Sequence, residues 1–442
     1  MSFLRSVIFR PRLEELEPRA LPSAGGRGAV AQPNLQAVPL AGSGAITYYT
    51  PAQVRHAYGF DQVSAAGSGQ TIAIVDAYDD PNINSDLAHF DAQFGLPAAS
   101  LSKARINNPP VNGGWAGEIS LDVEWAHAIA PGAKLLLVEA RSANFIDLLT
   151  AVDYARSQPG VVAVSMSWGG NEFTGEAGYD YHFTTPAGHA GITFVAAAGD
   201  SGAAGGPEWP SVSPNVLAVG GTRLTLSGTG AYGQETGWGS GGGGTSQVEA
   251  EPTFQRGAQT TGWRDSPDVA YDADPSTGFL VYDSVPNSAG QTGWFDYGGT
   301  SAGAPQWAAL LALADQGRAQ LGLGSLANGQ AAVYALPAAD FHDVTSGNNG
   351  FAATAGYDLV TGRGTPNAPL LINDLLHAAS TTTITFTATK TSTAKPAAAH
   401  AVPRAAEPAD SHSLAHHPDS DELSGPAGRG VGFQPACRNK AG

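Results

Sequence analysis

The 442-residue chain has a single cysteine, Cys437. That excludes a disulfide framework and any metal site built on thiolates. Charge is also scarce. Asp, Glu, Lys and Arg make up 14% of the residues, against about a quarter in an ordinary soluble domain. Basic residues are the rarer kind, 22 against 39 acidic ones, for a net charge of −17. This balance disfavours nucleic acid and anionic membrane surfaces as partners. No apolar run approaches the ~18–20 residues of a membrane span. What the chain does have is 42% apolar residues, enough for a large core, together with 57 glycines and 30 prolines. The surface is therefore expected to be rich in loops.

The chain divides into three parts by composition. Residues 1–45 are aperiodic and read as a leader and linker. The opening MSFLRSVIFRPRLEELEPRALPSA is basic and lacks the apolar stretch of a secretory signal. Its LEELEPRALPSA portion is similar to a short motif at the start of many exported bacterial proteins, which implies an extracellular or cell-envelope location. Residues 378–442 are low in large apolar side chains and rich in Ala, Pro, Ser and His. Such a segment cannot bury enough surface to offset its ordering entropy and reads as a disordered tail. Its His416–His417 pair is read as solvated.

Between them, residues 46–377 read as one domain. Short apolar runs recur at 71–77, 134–140, 161–168, 191–199, 215–222 and 278–285, as expected of buried parallel strands. Helical stretches at 83–94, 117–130, 145–158, 177–190 and 302–318 alternate with them. The alternation predicts an α/β fold, a mostly parallel central sheet with helices on both faces. Chemistry in such folds sits beyond the carboxyl ends of the strands.

The stretch GGTSAGAP, 298–305, places Ser301 between a glycine turn and an apolar helix. It reads equally as a nucleophile or as a helix cap. An imidazole base in a His-Gly-Thr context is absent, since none of the 11 histidines stands in one. Carboxylates are the remaining candidates. On the helix beginning near Gly117, Glu118 and Asp122 lie four residues and so ~40° apart, on one face. Glu124 and His127 point elsewhere. Such a pair usually marks a solvated face, but apolar residues flank this one, and burial would force the two groups to share a proton. Asp200, in AAAGDSG, reads either as a turn aspartate or as an acid close to a reacting carbonyl.

Six motifs, GEISLDVE, SMSWGG, AAAGDSG, EWPSVSPNVLAVGGT, GGTSAGAPQWAAL and HDVTSGNNG…AGYDLVTGRGTPN, occur in that order from about Tyr48 to Leu376. Together they resemble the sedolisin family, serine-carboxyl peptidases with a subtilisin-like fold. The resemblance implies an acid-active endopeptidase acting on peptides or proteins. Ser301 would be its nucleophile, Glu118 the general base, Asp122 the partner holding Glu118, and Asp200 the oxyanion donor. It also implies an extended network through Asp76 and Trp168. It implies one structural Ca²⁺, held by the side chains of Asp343 and Asp358 and by the carbonyls of Val344, Thr354 and Gly356. Family precursors carry a long prodomain, whereas about 45 residues precede the domain here. A monomer is expected. The rival readings are a catalytically silent sedolisin-like binding domain at the cell surface, and a Ser/His/Asp peptidase using Asp76 with His89 or His127.

Overall fold

In the computed structural model, residues 29–38 and 48–378 are described. Residues 379–442, with the expected tail and Cys437, and residues 1–28 lie outside the described residues. The central sheet contains β1 (Thr71–Ala77), β2 (Ser100–Arg105), β3 (Lys134–Ala140), β4 (Val161–Met166), β5 (Thr193–Ala197), β6 (Val216–Leu226), β7 (Tyr232–Gly237) and β8 (Val269–Asp272). Their order is β7-β6-β5-β4-β1-β3-β2, with β8 also beside β6. Every pairing is parallel except that of β6 with β7.

The strands are apolar on both faces because both faces are covered. Ile72 and Ile74 of β1 join a core with α1 (Ile83–Phe94), α2 (Gly113–Ile129) and α4 (Gly303–Gln320). Ala73, Val75 and Ala77 face the opposite side, where α3 (Phe145–Ser157) packs. This is the period-two alternation of a pleated strand between two layers. β1 is the switch point: the chain moves from it to β2 and β3 on one side, then returns to β4 on the other. A crevice at the carboxyl ends of the strands is the consequence.

Three expectations need correction. The helix predicted from Gly117 begins at Gly113, because the Asn112 side chain accepts from the backbone N–H of Gly114 and Trp115 and caps it there. The helix expected at 177–190 is a short 3₁₀ segment, Glu176–Phe183. One proline and two glycines follow it, in PAGHAG. The run 278–285 is not part of the parallel sheet. Its strand Phe279–Asp283 pairs antiparallel with Gly293–Gly298, which in turn pairs with Gln36–Val38. A strand buried by a separate layer has the same apolar composition as one in the main sheet, so sequence could not separate them. Among the described residues no helix is long and apolar enough to cross a membrane.

Candidate active site

Four elements converge at the crevice. α2 supplies Glu118 and Asp122, β1 supplies Asp76 at its carboxyl end, the turn after β5 supplies Asp200, and the turn before α4 supplies Ser301. α2 is buried along its length from Trp115 to Ile129, so the carboxylate pair is not on a solvated face. Glu118, Asp122, Asp76 and Ser301 are each 0% exposed.

Ser301 does not act as a helix cap. No side chain caps α4, and the Ser301 hydroxyl donates to the Ser167 carbonyl at 3.2 Å. The Ser167 hydroxyl in turn donates to Asp122 Oδ1 at 2.9 Å. The Glu118 carboxyl lies against both Ser301 and Asp122. Neither of its oxygens, nor Asp122 Oδ2, nor either oxygen of Asp76, receives a donor in hydrogen-bond geometry. Carboxylates facing one another with no donor between them require a shared proton.

Burial raises Glu118 well above the ordinary glutamate range, and the nearby Asp76 raises it further. Asp122 is raised well above its usual range by burial, then by Asp76 and Glu118. Burial pushes Asp76 up to about 7. No cation among the described residues is a leading cause of these shifts.

Asp200 is held from the other side. Its Oδ1 accepts from the Thr300 N–H at 2.8 Å and from the Thr300 hydroxyl at 2.9 Å. Its Oδ2 is buried and has no partner. Burial outweighs the Thr300 bonds and pushes the group up to about 8. Oδ2 therefore carries a proton in acid and is free to donate it. Gly299, with φ at 113°, leaves this oxygen room: a methyl group there would sit 2.5 Å from Oδ2.

Trp168 is buried, but its indole N–H donates to the Val75 carbonyl at 2.7 Å. It fixes the end of β1 next to Asp76 without bonding that carboxylate. The two candidate histidines are elsewhere. His127 meets the Pro97 carbonyl at 2.8 Å and Asp91 at 3.3 Å, and the His89 ring stacks 4.0 Å from that of Tyr282. Sequence reasoning missed Ser167 and Thr300, the residues that orient Asp122 and Asp200. Both stood inside motifs already singled out, SMSWGG and GGTSAGAP.

Four of the five expected calcium ligands are joined in two pairs. Asp343 accepts from the Gly356 N–H at 3.2 and 3.0 Å, one contact per oxygen. Asp358 Oδ2 accepts from the Thr354 N–H at 2.8 Å. Each carboxylate thus holds one backbone amide of the 354–356 loop. Only one group of three carboxylates among the described residues is close enough to share an ion. It lies elsewhere, with oxygens of Asp80, Asp86 and Asp283 within 4.8 Å of one another.

Residues 95–357 match the Subtilase family (Peptidase_S8). Kumamolisin of Bacillus sp. (strain MN-32) is 38% identical over 383 residues, 76% of this chain and 65% of that protein. Sedolisin of Pseudomonas sp. (strain 101) is 32% identical over 323 residues, 63% of this chain and 53% of that protein. A solved structure of Pseudomonas sedolisin, a serine-carboxyl proteinase complexed with two molecules of pseudo-iodotyrostatin, superposes with a TM-score of 0.65 at 28% identity. It covers 75% of this chain and 98% of the other. The chain belongs to the subtilase family, in its sedolisin branch. It spans 65% and 53% of the lengths of the two curated relatives.

Proposed function

We propose that this protein is a serine-carboxyl endopeptidase active in acid, its peptidase body formed by residues 46–377. The observation that supports this most is the proton-sharing carboxyl cluster of Glu118, Asp122 and Asp76 behind Ser301, where a histidine-dependent peptidase would need an imidazole. Glu118 takes the Ser301 proton as Oγ attacks the scissile carbonyl, and returns it to the leaving amine. Asp122, held by Ser167, keeps the Glu118 carboxyl turned toward Ser301. Asp200 Oδ2–H and the Ser301 N–H receive the oxyanion, and one such donor is worth about 10²–10³ in rate.

The pH dependence follows. Asp200 donates only while protonated, so this assistance is present in acid and is lost as pH rises through about 8. An ordinary glutamate, at about 4.3, ionises at lower pH than a histidine, at about 6.5. Burial and Asp76 raise Glu118 above that ordinary range, so ionisation of the carboxyl cluster sets the lower-pH limb of the profile. Kumamolisin and sedolisin, the curated relatives, support the same class of chemistry. Hydrolysis of peptides by the full chain at about pH 4, compared with Ser301→Ala and Glu118→Gln, tests the proposal. Wild-type cleavage lost in both variants is the expected result. Equal cleavage by Ser301→Ala, or a rate maximum above pH 7, overturns it. No cleavage by the wild type would favour the silent binding domain.

Asp343 and Asp358 are proposed to hold Ca²⁺ with the carbonyls of Val344, Thr354 and Gly356. Those three carbonyls accept no hydrogen bond from the described residues, and hard oxygen donors suit the ion. Calcium, when bound, supplies positive charge that draws the two carboxylates and the loop together. The N-terminal LEELEPRALPSA motif supports an exported protein, proposed to act on peptides as a monomer.

A further inference from the structure

A second group of buried acids gathers where three segments of the chain meet. Asp80 follows β1, Asp86 stands in the first turn of α1, and Asp283 ends the strand Phe279–Asp283. One oxygen from each lies within 4.8 Å of the others. The three residues are 0%, 2% and 0% exposed. Oxygens bound to one Ca²⁺ at about 2.3–2.6 Å stand at most about 5 Å apart, so these three fit a single ion.

These acids are held differently from Glu118 and Asp76, whose oxygens receive no donor. Each ties one oxygen to a backbone N–H. Asn82 donates to Asp80 Oδ1 at 2.8 Å, Ser284 to Asp86 Oδ2 at 2.9 Å, and Val285 to Asp283 Oδ1 at 2.7 Å. Such bonds favour the ionised form. Asp283 Oδ2 is buried without a donor, and a methyl group at Gly117 of α2 would lie 3.6 Å from it. Ser120, on the same side of α2, reaches Asp80 Oδ2 only at 3.4 Å.

Glu124, four residues further along α2, points independently to a missing positive charge. It is 0% exposed. Its Oε2 accepts from the Tyr282 N–H at 3.1 Å, while Oε1 is buried with no partner. Burial raises its hold on a proton, and the charges of Asp86, Asp283 and Asp91 add to that. Among the described residues no Lys, Arg or His forms an ion pair with Asp80, Asp86, Asp283 or Glu124. The Lys103 ammonium meets the Asp80 carbonyl, but it is taken up by Asp79 at 2.7 Å and Glu139 at 3.1 Å.

We infer that Asp80, Asp86 and Asp283 form a binding site for a hard divalent cation of the Ca²⁺ kind, with Glu124 adding its charge to the field. An all-oxygen donor set selects that class of ion. The site is distinct from Asp343 and Asp358 and does not depend on the serine-carboxyl reading. Asn82 and Ser284 above it are partly exposed, which gives an ion and its water ligands a way in. An ion held there ties α1 and the Phe279–Asp283 strand to the end of β1. The partner of that strand, Gly293–Gly298, leads into Ser301.

The test is Ca²⁺ binding by the full chain, stripped with EDTA, desalted and dialysed against Ca²⁺ at about pH 7.5. Bound metal is counted per chain and melting temperature is followed in the same samples. Asp283→Asn keeps the side-chain shape and removes one charge, and it should bind one ion fewer than wild type. Asp343→Ala should still bind one ion and should melt higher with Ca²⁺ than without it. Equal binding by wild type and Asp283→Asn overturns the site. So does an Asp343→Ala chain that binds no ion, or one that keeps its ion when Asp283→Asn is added. Wild type and Asp343→Ala each binding a single ion, lost in Asp283→Asn, supports this site and removes the one at Asp343 and Asp358.

Discussion

Two sets of buried carboxylates in this molecule are handled in opposite ways. Asp268 is 0% exposed and faces Arg264, also 0% exposed, through a two-pronged contact at 2.7 and 2.6 Å. The Ala218 N–H and the Tyr334 hydroxyl, each at 2.8 Å, and the Gln255 side-chain amide, at 3.3 Å, also donate to it. Glu118, Asp122 and Asp76 are equally buried, but among the described residues they meet one another, the Ser301 side chain and the Ser167 hydroxyl. Burial alone therefore does not fix what a carboxylate does. With a cation and several donors it becomes a structural tie. With other acids it stays partly protonated and ready to move a proton.

The largest effect is expected at the proposed nucleophile, where Ser301→Ala should lower kcat for peptide hydrolysis by on the order of 10⁶ with no large change in melting temperature. Steady-state kinetics alongside a thermal melt would check it. Arg264→Met reverses the pattern. It strands the Asp268 charge and should destabilise the fold by about 3–5 kcal/mol, read as a lower denaturant midpoint. Asp200→Ala should cost about 10²–10³ in rate at acid pH. Asp200→Asn, which cannot ionise, should remove the loss of activity as pH rises through about 8. A pH–rate profile that keeps that limb would show that another group sets it.

Stability should separate the two sets as well. Asp76 is raised to about 7 when folded and is near ~3.9 when unfolded. The folded state therefore holds its proton more tightly. The resulting stability is fully present below about pH 4 and lost as pH climbs to about 7, at up to about 1.4 kcal/mol per pH unit for one proton. Melting temperature should fall over that window, and Asp76→Asn should flatten the fall. A wild-type melting temperature that rises from pH 4 to pH 7 would count against the buried cluster. The smallest expected effect is that of chelation. Removing Ca²⁺ present at 100 times its Kd withdraws about 2.7 kcal/mol. EDTA should therefore lower the melting temperature of wild type by more than that of Asp343→Ala.

Much of the architecture was legible in the chain. The strand Thr71–Ala77 and the helix Ile83–Phe94 match the predicted ranges, because a continuous apolar run and a 3.6-residue stripe are local patterns. The segment at 177–190 was misread because a helix-compatible composition says nothing about the packing that would sustain it. The Phe279–Asp283 strand was placed in the wrong sheet because burial looks the same from either layer. The strands Gln32–Pro33 and Gln36–Val38 were missed altogether. Nothing in GAVAQPNLQAV marks a strand, and their pairing depends on edges contributed by residues more than a hundred positions away.

The sequence by itself determined which chemical groups were available and which of them shared an element. Four residues of helix put Glu118 and Asp122 on one face, and no histidine stood in a motif that could replace them. Tertiary structure decided their state. Only folding brings Asp76 up behind the pair, closes α2 off from water and turns Asp200 Oδ2 toward the crevice. A carboxyl group's affinity for its proton is set by the solvent it loses and the charges it meets, and both come from distant parts of the chain.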